Sequence, residues 1–184
     1  MNYDVVDLIK QDHREFERLF HELRTKPDQR PLLVPTLTAI LTAHSRAEEA
    51  EVYPVARKEA GETEEVEHSQ EEHAEAERLL ATLAETDPES ADFEKVLKQV
   101  VDSVTHHLEE EEETVLPGMR ERLSDERRAE LGKAFAASRA SHLGDRPGEQ
   151  TRDELELQAR NAGVTGASSM SKEELQREVA AMHD

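Results

Sequence analysis

The segment His44–Pro54, HSRAEEAEVYP, aligns without a gap to His107–Pro117, HLEEEEETVLP. A second pair keeps the same order upstream: His13–Phe20, HREFERLF, matches His73–Leu80, HAEAERLL. The separations agree, 31 residues from His13 to His44 and 34 from His73 to His107. The chain therefore repeats a hairpin. Two copies of one hairpin pack about a pseudo-two-fold axis, which places equivalent residues of both copies at one level.

The repeated segments read as helices. The first helix, over residues 3–24, spaces Val6, Ile9, His13, Phe16, Phe20 and Leu23 by threes and fours, so His13 lies in the apolar seam. The second starts near Pro31 and carries Leu33, Leu37, Leu41, His44, Glu48, Val52 and Val55, with Pro54 set to kink or stop it. The third covers residues 62–85, with Val66, Ser69, His73, Ala76, Leu80 and Leu83 on one face. Asp87-Pro88 reads as an N-cap and first-turn proline for the fourth, whose seam is Phe93, Val96, Val100, Val104, His107, Glu111 and Val115, ended by Pro117-Gly118. A fifth helix, from Ser124 to about His142, is expected to pack outside the bundle. The expected fold is all-α: an up-down four-helix bundle with this extra helix and a small helix-loop-helix tail. The domain reading is a bundle over 1–143, a Gly/Pro linker over 144–150 and a tail module over 151–184.

The chemistry lies in what the repeat preserves. It keeps polar residues in all four apolar seams. An i, i+4 pair such as His44/Glu48 projects both groups to one side of its helix. Four imidazoles and two carboxylates buried without compensation cost too much to leave a bundle folded. A pair of cations compensates them directly, with Glu48 and Glu111 placed to bridge. There is no cysteine, so thiolate ligands and disulfides are excluded. Nitrogen and oxygen donors suit iron, then manganese or zinc.

Other residues near this level read differently. Glu49 and Glu112 repeat too, but face about 100° away from their neighbours. They read as partners for a histidine N–H or as surface charge. His68 lies five residues before His73, about 140° round an ideal helix, and its counterpart in the first copy is Leu8. It joins the metal set only from a frayed turn or a bulge, where it would make the two metals unequal. His106 points elsewhere. Tyr53, matched by Leu116, belongs to one half only.

QDHREFERLF, HSRAEEAEVYP, EEHAEAERLL and HHLEEEEETVLP together resemble the hemerythrin-like HHE cation-binding family over residues 3–120. The resemblance implies a non-haem di-iron centre, two iron ions in a four-helix bundle. The ligands carried over are His13, His44, Glu48, His73, His107 and Glu111, with His68 a further candidate. Oxygen-carrying members have a histidine pair four apart on the third helix, and an aspartate one residue beyond the position of Glu111. This chain departs at both places, which weighs against simple oxygen carriage. The tail, TRDELELQARNAGVTGASSMSKEELQREV, resembles the SAP-like, Rho-N-terminal-like module. That resemblance implies a nucleic-acid partner, but the tail's acidic residues outnumber its basic ones, so a protein partner or only a weak nucleic-acid partner is expected.

A formal net charge of −20 argues against nucleic acid or an anionic membrane as partner of the main body. No window approaches the ~18 apolar residues of a membrane span, so the expectation is a cytoplasmic protein. The expected function is a di-iron protein meeting a small oxidant: dioxygen, peroxide or nitric oxide. Whether this is an enzymatic activity, protective in oxidative stress, or a sensor or iron buffer stays open. So does the oligomeric state.

Overall fold

The computed structural model describes residues 3–183, and the regular structure among them is helical. In chain order the helices are α1 (Val5–Thr25), α2 (Arg30–Ala47), α3 (Tyr53–Glu59), α4 (Thr63–Glu85), α5 (Phe93–Glu113), α6 (Val115–Arg122), α7 (Asp125–Ser141), α8 (Arg152–Asn161) and α9 (Lys172–Ala180). The hairpins α1/α2 and α4/α5 pack together as the expected up-down bundle. None of the helices is long and apolar enough to cross a membrane.

Each long helix carries apolar residues on both sides of one polar level. One core cluster takes Phe16, Leu41, Ala76 and Val104 from the four helices. The other takes Ile9, Val52, Val66 and Val115. His13, His44, Glu48, His73, His107 and Glu111 fall between these residues along the chain, so they form a polar layer sealed by apolar side chains above and below.

Pro54 does not end the second helix. Its missing N–H and its ring remove an α-helical bond, and the backbone widens into a π-helical segment, Glu48–Val52, in which the Tyr53 N–H reaches Glu48 O five residues back. The helix then continues as α3. In the second copy the chain breaks instead at Thr114, φ −119° and ψ −75°, and restarts as α6. Pro117-Gly118 therefore does not stop the helix as the sequence suggested. Pro117 sits in the first turn of α6, where an N–H is dispensable. Gly118 admits the Glu62 carboxylate, since a Cβ there would lie 1.8 Å from Glu62 Oε1. The start of α5 also differs. The Asp87 carboxylate accepts from the Glu89 N–H at 2.9 Å and holds a turn, and the helix begins only at Phe93.

The fifth sequence helix, α7, packs against α1 and α2. It buries Leu131 and Phe135 in the second core cluster, and the Phe135 ring stands edge-on to His44 at 5.7 Å between centroids. In the tail, both capping boxes form, Thr151 with Glu154 and Ser171 with Glu174. Gly163 and Gly166 turn the chain between α8 and α9 with φ of 80° and 77°, a region other residues rarely adopt. Leu155, Ala159, Ala167, Leu175 and Val179 close a small core of their own, against Ala74 of α4.

Candidate metal centre

The six residues that share the polar layer are all buried, and Glu48 and Glu111 are fully so. His13, His44 and Glu48 bring donor atoms within 4.8 Å of one another, and so do Glu48, His73 and His107. Glu48 thus belongs to both sets. Its Oε2 lies 3.2 Å from His44 Nε2 and 3.3 Å from His73 Nε2. Glu111 Oε2 lies 3.3 Å from His13 Nε2.

The outward nitrogens are fixed first. His13 Nδ1 is 2.9 Å from Glu112, His44 Nδ1 3.0 Å from Asp12, His73 Nδ1 3.2 Å from Glu49 and His107 Nδ1 2.9 Å from Glu72. An ionised carboxylate only accepts, so each Nδ1 carries the hydrogen and donates. All four Nε2 atoms then face inward. Carboxylates behind ligand histidines orient the ring and raise its basicity.

Six of the inner atoms lack a hydrogen-bond partner. His13 Nε2, His44 Nε2 and both oxygens of Glu48 and of Glu111 are buried without a hydrogen bond. Orphaned buried polar atoms are rare and expensive, and six converge here. His73 Nε2 and His107 Nε2 meet at 3.0 Å. This donor set, nitrogen and oxygen without sulfur, fits cations such as iron, manganese or zinc.

Residues 4–118 match the family model of the hemerythrin HHE cation binding domain. The chain belongs to that family. Its hemerythrin segment is a cation-binding domain, and the polar layer is a candidate place for the cation in it. A DNA nickase of Nostoc sp. (strain PCC 7120) is 31% identical over 139 residues, covering 74% of this chain and 39% of that protein. The chain therefore spans well under half of that relative, although the likeness runs past the hemerythrin segment. No solved structure matches the chain.

In the metal-free chain the surrounding carboxylates favour protonation of His44 and His73. Burial works against charging His44, but the Glu48 carboxylate and the bond to Asp12 overcome it and raise the pKa to about 9. Burial likewise opposes His73, and Glu48 and Glu49 on either side of the ring raise it to about 10. Burial alone would lift Glu48, but the charges of His44 and His73 hold it well below the ordinary carboxylate range.

Tyr53 lies in this layer, fully buried, with its hydroxyl 2.9 Å from His73 Nε2. His68 does not reach it. The helix is regular there, so the 140° offset is kept, and the His68 ring is 55% exposed beside His106, Glu72 and Glu110.

Two carboxylates behind the histidines, Asp12 and Glu72, were not read from the sequence. Their signal is in the repeat: each precedes the first histidine of its hairpin, in QDH and EEH. Asp12 and Glu72 serve the second histidine of their own hairpin, while Glu49 and Glu112 cross to the first histidine of the other. The pseudo-two-fold thus extends to the outer carboxylates. Gln70, Gln158 and Asn161 carried no such signal. Gln70 and Gln158 donate to the two oxygens of Glu49 at 2.9 and 3.1 Å, and Asn161 donates to Glu49 O and to Gln70.

Proposed function

We propose that the protein is a non-haem di-iron protein that reacts with a small oxidant, with His13, His44, Glu48, His73, His107 and Glu111 as the ligands. The supporting observation is the convergence of unpartnered, buried nitrogen and oxygen atoms from both hairpins on one sealed layer. Iron held there supplies electron exchange with dioxygen, peroxide or nitric oxide. The chain supplies the rest. Glu48 spans the two histidine pairs and ties them together. The apolar clusters above and below keep bulk water out. The Tyr53 hydroxyl is pushed well above its ordinary pKa by burial and by the charges of Glu111 and Glu48, so it stays protonated and offers a hydrogen bond inside the layer.

The experiment is iron analysis of the purified chain, followed by its absorption spectrum before and after addition of peroxide, dioxygen or nitric oxide. Two irons per chain and a spectral change with one of the three ligands are expected, with gas evolution if peroxide is disproportionated. Iron retention without any response to the three ligands would turn the reading toward an iron buffer.

A second reading rests on the likeness to the DNA nickase. Paired metals can clamp a phosphodiester as well as an oxidant. The net charge of −20 opposes it, because duplex DNA is recruited through basic surface. Chelator-sensitive nicking of a supercoiled plasmid by the iron-loaded chain, without added oxidant, would favour it.

A further inference from the structure

The four outer carboxylates are alike in what lies behind them, with one exception. Glu112 is met by Arg14, and by Lys10 at 3.5 Å. Asp12 is met by Arg139. Glu49 is held by the amides of Gln70 and Gln158. Glu72 has none of these. Its Oε2 accepts from His107, but its Oε1 is buried and unpartnered, in a residue only 9% exposed.

That orphan oxygen looks onto His68 and His106. His68 Nε2 stands 3.6 Å and His106 Nε2 3.5 Å from it. Glu110 closes the group, 2.9 Å from His68 Nε2 and 3.3 Å from His106 Nε2. All four donor atoms lie within 4.8 Å of one another. Both contributing pairs, His68/Glu72 on α4 and His106/Glu110 on α5, are i, i+4 on neighbouring helices. The buried layer uses the same device in His44/Glu48 and His107/Glu111.

The distances to Glu72 Oε1 suit a shared metal better than hydrogen bonds. Bonds of 2.0–2.2 Å from a tetrahedral cation to nitrogen and oxygen put neighbouring ligands about 3.3–3.6 Å apart. The two separations from Glu72 Oε1, 3.6 and 3.5 Å, fall in that range, while Glu110 meets His68 with Oε2 and His106 with Oε1. No arginine or lysine is recorded against Glu72 or Glu110 among the described residues; their ion pairs are with histidines. The other surface group of this kind among the described residues, His142, Asp145 and Glu154, already contains the Arg46 guanidinium.

We propose that His68, Glu72, His106 and Glu110 form a separate tetrahedral site for one divalent transition cation, at the surface between α4 and α5. It is distinct from the buried layer but shares Glu72 with it. The cation takes Oε1 while His107 keeps Oε2. With His68 and His106 more than half exposed, the surface cation exchanges with solvent, whereas the buried layer is sealed. Filling the surface site withdraws charge from Glu72 and is felt at His107.

Cobalt(II) is the probe, because tetrahedral cobalt absorbs strongly in the visible. Iron-loaded wild type and a His68→Ala/His106→Ala variant are titrated with cobalt(II), and cobalt and iron per chain are counted. Both histidines are exposed, so the variant is expected to keep the helical circular dichroism of the wild type. A Glu110→Gln variant, which alters only a half-buried carboxylate, is the second readout and is expected to bind cobalt more weakly. Wild type should take up one more cobalt than the double variant, with the tetrahedral band, and iron should be unchanged in both. Being a difference between two chains, the count reads the surface site whatever the buried layer holds. Equal cobalt in both chains, or cobalt gained only as iron is lost, overturns the proposal.

Discussion

Gln158, in the first tail helix, donates to Glu49 Oε2 at 3.1 Å, and the other oxygen of Glu49 holds His73 Nδ1 at 3.2 Å. A side chain of the tail is thus two contacts away from the polar layer of the bundle. Both Gln158 and Glu49 are buried, so the link is dry.

Replacing Gln158 by Met keeps the volume and removes the donor. A buried carboxylate oxygen that loses one partner costs about 1–3 kcal/mol. Urea unfolding should show a loss of that order. Gln176→Met, on the tail's second helix and outside this chain of contacts, should leave stability unchanged. Equal effects from both would mean that the Glu49 link contributes nothing.

Iron content should separate the histidines. His44→Ala and His107→Ala each remove an inward Nε2 and leave Asp12 or Glu72 without the imidazole it holds, and should strip most of the iron. His106→Ala removes an exposed ring and should leave iron content near that of the wild type. Atomic absorption on the purified variants decides, and comparable iron loss in all three would undo the ligand assignment.

In the metal-free chain the folded state binds protons on His44 and His73 more tightly than the ordinary imidazole value of 6.5, with pKa values of about 9 and 10. The raised values mean that this stabilisation is complete below about pH 6.5 and is lost as pH rises through 9 and 10. The melting temperature of chelator-treated protein should therefore fall between pH 7 and pH 10. Cation binding near neutral pH should release those protons, giving a calorimetric heat that varies with the ionisation enthalpy of the buffer.

A methyl group on Gly132 of α7 would lie 1.6 Å from the Tyr3 carbonyl oxygen, and backbone cannot move aside as a side chain can. Gly132→Ala should destabilise by at least the 1–3 kcal/mol typical of overpacking. Gly144→Ala meets nothing within 4 Å and should be close to neutral in a thermal melt.

The ungapped repeat carried much of this architecture in plain view. It marks four helices, their common polar level and six residues on it, because helical period and burial leave a local trace in every seam. What stayed hidden depends on distance along the chain or on backbone detail. The sequence makes His68 a further candidate for the buried layer and points His106 elsewhere, and only the α4/α5 packing brings the two to one carboxylate. Gln158 meets Glu49 across 109 residues. The widened turn at Glu48–Val52 comes from Pro54, whose missing N–H can be absorbed by a π segment as well as by a kink or a stop.

That widened turn has no counterpart after Glu111, where the chain snaps at Thr114 instead. The halves have drifted apart in backbone as well as in side chains, with Glu48 serving both histidine pairs and Tyr53 present on one side only. A shuffled chain in which the α4/α5 hairpin preceded α1/α2 would preserve the symmetry of the ligands. A chain built from two copies of the second hairpin would not preserve the chemistry: it would have no phenol at its heart, and twins where the natural layer has unlike siblings.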